Sequence, residues 1–381
     1  MSTTLTARAL HTAQGTIEHP VIAIDDDGLI AGIHSDPANP SDAILTSTFF
    51  DIHTHGAASY DVMHASRAEL SAISRFLAGR GVSHYLPTTV TAPIDQTLHS
   101  IEALADAIET PARSGEAQPV GIHLEGPFIS HAKRGVHPPA DILPPDIALF
   151  DRFYQASRGH IRLMTIAPEI PGAISLIEHA VSLGVQISIG HTNATCKEAN
   201  AAIDAGAASA THTFNAMRPL DHRDPGVIAT VLDDDRLFAE LICDGIHVAP
   251  EIVRLWLKAK GAEKAILVTD SMSATGMPEG TYTLGTFQVE VANGRAISNG
   301  ALAGSVLTMD RAVANLQRFT GTPLGTAVRL ASHNPAKLLG FEDTIANPVP
   351  GQPANFNVFD AAGNLQSTIL HGDRVLIARS Q

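Results

Sequence analysis

From about residue 49 onward the chain repeats one theme: a short, continuous apolar run, a polar loop, then an apolar pattern with helical spacing. The runs end in "FFDIHTHG", "VSHYLPTT", "PVGIHLEGP", "IRLMTIAPE", "VQISIGHTN", "SATHTFN", "FAELICDGIH" and "AILVTDSM". Apolar runs this short, without polar alternation, suit parallel strands covered on both faces. The segments between them carry helix punctuation. Ser66 with Glu69, and again Thr195 with Glu198, have the spacing of a capping box. Gly81-Val82 and Gly184-Val185 read as helix stops that lead straight into the next strand. Eight such strand–helix units predict an α/β fold, a (β/α)8 TIM barrel. The alternative, a doubly wound sheet, usually has fewer units.

The two ends of the chain read differently. Residues 1–48 hold short apolar runs such as "VIAIDDDGLIAGI", with an acidic turn from Asp25 to Gly28. Residues 345–381 hold "ANFNVFD", "AAGNLQSTIL" and "DRVLIARS", with a turn candidate at Ala362-Gly363-Asn364. These are β-hairpin signals. Because the termini of a domain often lie close together, the expectation is a small β-sandwich domain formed from 1–48 and 345–381, flanking a barrel over 49–344. A chain of 381 residues accommodates one large domain and one small one.

Charge and cysteine usage narrow the partners. A net charge of −14 argues against nucleic acid and against an anionic membrane surface. It leaves room for a phosphorylated small molecule, because a few local cations can hold one phosphate. Cys196 and Cys243 make no disulfide framework and fit a reducing compartment. The first twenty residues lack the basic segment and apolar core of a signal peptide. No apolar run approaches the roughly 18 residues of a membrane span. The expectation is a cytoplasmic protein without membrane contact.

In a barrel of this kind the C-terminal strand ends build the active site. Here the first run ends with His53 and His55, and the third with His123 and Glu125. The fifth ends with His191, the sixth with His212, the seventh with Asp244 and His247, and the eighth with Asp270. Each has a bland reading alone. His53 and His55 suit a solvated pair in a chain of 19 histidines. Glu125 and Asp270 suit helix caps, and His191 and His212 suit hydrogen-bonded loop residues. Repeated placement at the same end of successive strands favours a site. Strand residues two apart face the same side, so His53 and His55 can converge on one ion. Three or four N/O ligands with an open position describe a catalytic divalent site. His123 is read as structural and Cys243 as packing.

The motifs "HTHG", "GIHLEGPF", "GHTNAT", "THTFNAM", "CDGIHV" and "VTDSMSATG" resemble the amidohydrolase superfamily. "HLEGPF" followed by "KRGVH", and "HTFNAM" followed by "RDPG", resemble its branch that removes acetate from N-acetylglucosamine 6-phosphate. The resemblance spans about residues 45–340. It implies a divalent metal cofactor, one or two ions per subunit, with zinc first and iron(II), manganese or cobalt as alternatives. Glu125, His191 and His212 match the ligands of the principal ion, and His53 and His55 match positions that supply a second. Asp270 matches the catalytic aspartate, and His137 the histidine at the acetamide end of the substrate. Asn215 and Ala216 match a loop that touches sugar and phosphate, and Arg223 and His247 match phosphate-binding positions. The resemblance also implies a homodimer, with Arg223 contributed across the interface.

Relatives often carry a glycine-rich run after the first histidines; here it is "HGAASYDVM", a departure that removes no ligand. The fourth run ends "TIAPE", without the carbamylated lysine of cyclic-amidase relatives, so Glu125 takes the bridging role. The rival readings are another deacetylase or deaminase of the superfamily acting on a different N-acyl sugar or amine, and a non-catalytic barrel. The presence of Glu125, His191, His212 and Asp270 speaks against the last.

Overall fold

The computed structural model describes residues 3–39 and 41–376. Eight parallel strands form a nearly closed barrel: β1 (Phe49–Thr54), β2 (Val82–Thr89), β3 (Ile122–Glu125), β4 (Ile161–Ile166), β5 (Gln186–Ile189), β6 (Ala207–Ala210), β7 (Phe238–Ile242) and β8 (Ala265–Val268). Each pairs with its neighbour in chain order from β1 to β8. These are the eight apolar runs of the sequence. Helices follow the strands and cover the outside. In the helix Arg67–Ala78, Leu70, Ile73 and Leu77 recur at helical spacing and are buried. Both capping boxes form, Ser66 with Glu69 and Thr195 with Glu198. Gly81 and Gly184 adopt φ of +87° and +82°, the left-handed turn that ends a helix and re-aims the chain.

The seam between β8 and β1 differs from the other junctions. No ladder joins the two strands among the described residues. Single bonds close it just past the strand ends: Asp270 N to His53 O at 2.9 Å and His55 N to Ser271 O at 2.7 Å. Thr269 Oγ1 donates to Asp51 Oδ2 at 2.5 Å, within the buried interior. Burial pushes the Asp51 carboxyl up to about 6, against the pull of these donors.

Both chain ends meet in a small β sandwich. Its six-stranded sheet interleaves Ala9–Thr12, Gly15–Glu18 and Ile44–Ser47 with Phe356–Phe359, Leu365–Leu370 and Asp373–Leu376. A three-stranded sheet, Thr3–Thr6, Pro20–Ile24 and Ile30–Ser35, accompanies it. Leu10, Ile22, Ile24, Ile30, Leu45, Phe356 and Ile369 from both sheets share one core. The end of the "DRVLIARS" run lies outside the described residues.

One element was not anticipated from the sequence. Between β8 and the helix Met309–Thr320 lies a four-stranded antiparallel sheet: Gly280–Leu284, Phe287–Ala292, Arg295–Ser298 and Ala301–Leu302. Its signals were present, since "FQVEVANGRAIS" alternates and carries an Asn-Gly turn. Leu284, Val289, Val291 and Ala296 pack on Met63, Val90 and Met272, which brings the sheet over the C-terminal mouth of the barrel.

Candidate active site

Glu125, the last residue of β3, is the hub of the barrel mouth. It is 3% exposed, and its Oε1 has no hydrogen-bond partner. Yet Nε2 atoms surround that oxygen: His191 and His212 at 3.3 Å and His53 at 3.5 Å. His55 Nε2 lies 3.3 Å from the other oxygen, Oε2. The imidazoles also face one another nitrogen to nitrogen, His191 to His212 at 3.1 Å and His53 to His55 at 3.2 Å. Asp270 Oδ1 completes the second group, 3.1 Å from His55 Nε2 and 3.6 Å from His53 Nε2.

Two facts show that this geometry fits a divalent ion. The first is tautomer. His55 Nδ1 bonds to the Thr88 carbonyl at 2.9 Å and His191 Nδ1 to the Lys133 carbonyl at 3.0 Å. A carbonyl only accepts, so both rings carry hydrogen on Nδ1 and turn an Nε2 lone pair inward, the arrangement of a metal ligand. The second is spacing. Ligand bonds of about 2.0–2.1 Å in a tetrahedron place donor atoms about 3.3 Å apart. Glu125, His191 and His212 form one such group, and His53, His55 and Asp270 another; within each, the donor atoms lie within 4.8 Å of one another. Both can hold a divalent ion.

The electrostatics without an ion point the same way. Burial opposes charge on His53, but the Glu125 and Asp270 carboxylates outweigh it and hold the imidazole well above its ordinary value. Against the same burial, bonds to Asp270 and Glu125 push His55 up to about 9. The carboxylates move the other way. Burial raises both, but His53 and the other imidazoles around them hold Glu125 and Asp270 below their usual range. Carboxylates that attract protons onto buried imidazoles attract a cation for the same reason.

The backbone sets these side chains at a cost. His191, His212 and Asp270 have φ of +46°, +29° and +51°, a region that side chains other than glycine rarely occupy. Each costs about 1–3 kcal/mol, held by the surrounding fold. Gly190 precedes His191, and a Cβ there would sit 2.6 Å from Thr211 Cβ and 2.8 Å from Thr165 Cγ2. Glycine lets β5 pass close to its neighbours just before the histidine turns into the cavity.

The mouth encloses a cavity of about 250 Å³. Its polar lining includes His55, Glu125, His137, His191, His212, Asn215, His247 and Asp270, with Ala216 beside them. Of the residues predicted from sequence, His53 lies just beneath, fully buried. Arg223 is the one set apart: it is exposed on the loop after Met217 and does not line the cavity. His137 Nδ1 accepts from Thr91 N at 3.3 Å and lies 2.8 Å from Thr91 Oγ1. The ring therefore carries its hydrogen on Nε2, which faces Glu125 Oε2 at 3.7 Å. Burial, and then the His191 imidazole, push His137 down to about 3, so it is a neutral donor. His247 Nδ1 bonds to Asp244 Oδ2 at 2.7 Å. Burial opposes charge there too, but that bond raises the imidazole above its ordinary value. His123 is fully buried and lies outside both groups, in keeping with a structural role.

Sequence reasoning missed two parts of the site. One is the apolar wall of Leu284, Phe287, Ala301 and Leu302 from the antiparallel sheet. The other is Glu240, a fully buried acid on β7 whose Oε2 lies 3.6 Å from His53 Nδ1. Its signal was a glutamate inside the apolar run "FAELI".

A parallel barrel with histidines and acids gathered at its C-terminal mouth defines a class, and the chain belongs to it: the amidohydrolase family, whose model matches residues 44–375. Within the family, the relatives it matches over most of their length include amino-sugar phosphate deacetylases. It is 36% identical over 377 residues to N-acetylgalactosamine-6-phosphate deacetylase of Escherichia coli O157:H7, covering 98% of this chain and 99% of that one. It is 37% identical over 344 residues to N-acetylglucosamine-6-phosphate deacetylase of Bacillus subtilis, covering 89% and 86%. Among solved structures, it resembles a mutant N-acetyl-D-glucosamine-6-phosphate deacetylase of Mycobacterium smegmatis in complex with N-acetyl-D-glucosamine-6-phosphate. The TM-score is 0.92 at 33% identity, over 98% of this chain and 99% of that one. The chain is thus a hydrolase acting on amides.

Proposed function

We propose that this chain hydrolyses N-acetyl-D-glucosamine 6-phosphate to D-glucosamine 6-phosphate and acetate, a step of amino-sugar catabolism, with one or two divalent ions per subunit. The observation that carries the reading is Glu125 Oε1, buried, without a hydrogen-bond partner and faced by the Nε2 atoms of His191 and His212 at 3.3 Å. Glu125, His191 and His212 would hold the principal ion, and His53 and His55 a second beside Asp270. Imidazole and carboxylate donors suit zinc first, with iron(II), manganese and cobalt as alternatives. A divalent ion there would supply an acidified water and Lewis acidity toward the acyl group.

The protein's own groups do the rest. Asp270 Oδ1 takes the proton of the attacking water and returns it to the leaving amine, first as base and then as acid. The Nε2–H of His137 donates to the oxyanion that forms at the acyl carbon. Asn215 and Ala216 orient the sugar, and His247, whose proton is held by Asp244, faces the phosphate. Arg223 supplies a second phosphate contact, its fork suited to bidentate binding. Its exposed position off the cavity fits contribution from the partner subunit of a homodimer. Remote phosphate binding then orients the acetamide for attack. Catalysis belongs to residues 49–344, and the sandwich of 1–48 and 345–381 supports that barrel. The setting is cytoplasmic; among the described residues no helix is long and apolar enough to cross a membrane.

A second reading has its own support: the E. coli relative, which matches over nearly the full length, is named for the galactosamine epimer. The deciding experiment measures acetate and ammonia release from N-acetylglucosamine 6-phosphate, N-acetylgalactosamine 6-phosphate and the unphosphorylated sugars, with metal content determined on the same sample. Acetate released fastest from the glucosamine ester supports the proposal. Faster release from the galactosamine ester moves the assignment to the epimer. Ammonia without acetate, or no turnover by metal-loaded protein, overturns it.

A further inference from the structure

Glu240 lies in the middle of β7 with its side chain fully buried inside the barrel, and the chemistry above does not use it. Its Oε1 accepts from Ser188 Oγ and from Ser209 Oγ, each at 3.3 Å. Its Oε2 has no hydrogen-bond partner. The nearest complement is His53 Nδ1 at 3.6 Å, also buried and also without a partner. Leaving a buried donor and acceptor unmade is costly, and an approach of roughly half an ångström makes this pair a hydrogen bond. With a carboxyl oxygen accepting, His53 carries its hydrogen on Nδ1. Its Nε2 lone pair is then directed at His55, Asp270 and Glu125.

The same acid fixes the sense of a chain of hydrogen bonds across the barrel floor. Ser188 donates to Glu240, so Thr211 Oγ1 donates to Ser188, at 2.7 Å. Thr165 Oγ1, 2.8 Å from Thr211 Oγ1, must then be the donor to it. That leaves His123 Nε2 as the donor to Thr165, also at 2.8 Å. His123 is thereby locked with its hydrogen turned away from the ligand groups. Its ring stands edge-on to His53 at 4.6 Å between centroids. His53 thus stands between Glu240, 3.6 Å from its Nδ1, and a ring whose tautomer Glu240 dictates.

We propose that Glu240 is the positioning residue of the His53–His55–Asp270 group: by fixing the tautomer and orientation of His53 it determines whether that group retains an ion. The inference rests on the two-ion reading above, and its test separates the two. Wild-type protein, Glu240→Gln and Glu240→Leu are stripped with chelator and dialysed against buffered zinc over a range of free concentrations. Zinc per chain is measured by emission spectrometry, with thermal unfolding followed in parallel. Wild-type protein should bind two ions. Glu240→Leu should lose about 10–100-fold in affinity for one of them and keep the other. The retained ion reports that the barrel has folded. Glu240→Gln, whose amide oxygen can still accept from His53 Nδ1, should fall between, and it carries the test if the leucine variant does not fold. Two ions bound with unchanged affinity in the variants, or equal weakening of both, overturns the proposal while leaving the two-ion reading intact. A wild-type protein that binds only one ion sinks both together.

Discussion

His191 and His212 reach the cavity from residues just past their strands, in left-handed backbone, and His191 is tied to a loop carbonyl, that of Lys133. His53 lies within a barrel strand, where the register against β2 shifts between Asp51 and Thr54, and stands over buried polar side chains. The two histidines of the Glu125–His191–His212 group are therefore set by left-handed backbone, whereas His53 and His55 are set by a barrel strand and the closing seam, with Asp270 the one left-handed residue of that second group. Two groups that meet at the Glu125 carboxylate should thus fail by different routes.

The sharpest way to break that distinction is at His191. His191→Ala should abolish both the principal ion and nearly all turnover, whereas His53→Ala should leave that ion in place and measurable activity behind. Metal analysis with an acetate assay reads both, and equal loss in the two variants would erase the distinction. Asp270→Asn should lower turnover by about 10²–10⁴-fold while keeping the ion at Glu125; near-normal turnover removes Asp270 from the chemistry.

Arg223→Ala lies outside both groups and should raise KM for the phosphorylated substrate about tenfold or more, as expected for a lost charge-assisted bond. The unphosphorylated sugar should be affected little, and an equal effect on both substrates refutes the phosphate contact. Gly190→Ala tests the main-chain origin of the His191 group directly. Overpacking against Thr211 and Thr165 should destabilise the fold by about 1–3 kcal/mol in denaturant unfolding and weaken the principal ion before the other.

The smallest effect lies at the opposite end of the barrel and serves as a control. Burial, helped by His371, pushes His84 down to about 4. A histidine lowered in the folded state contributes stability that is complete above its unfolded value near 6.5 and fades as pH falls toward 4. The acid limb of a stability profile should flatten in His84→Gln, and ion loading at the mouth should not change with that substitution.

The barrel and the gathering of histidines and acids at its mouth were legible because they rest on local rules. Continuous apolar runs mark strands covered on both faces, and residues at their ends fall at one mouth whatever the loops do. Glu240 was not legible, because one acid in "FAELI" carries no sign of the serines and the histidine that meet it from other strands. The sheet over the mouth had hairpin signals, but an α/β repeat makes an antiparallel insertion easy to overlook. Arg223 was placed by resemblance to relatives, and within a single subunit it stands off the cavity, so spacing along the chain could not have assigned it.

The closing seam has a consequence for how the molecule comes into being. Asp51 and Thr269 are 218 positions apart, and their bond joins the first barrel strand to the end of the last. Contacts of such long range form late, after the loop between them has been ordered by shorter-range pairing. His53, His55 and Asp270 stand beside that same joint. A nascent chain still lacking β8 can present paired histidines but not the aspartate, so the proposed proton acceptor joins the mouth only when the circle of strands has been completed.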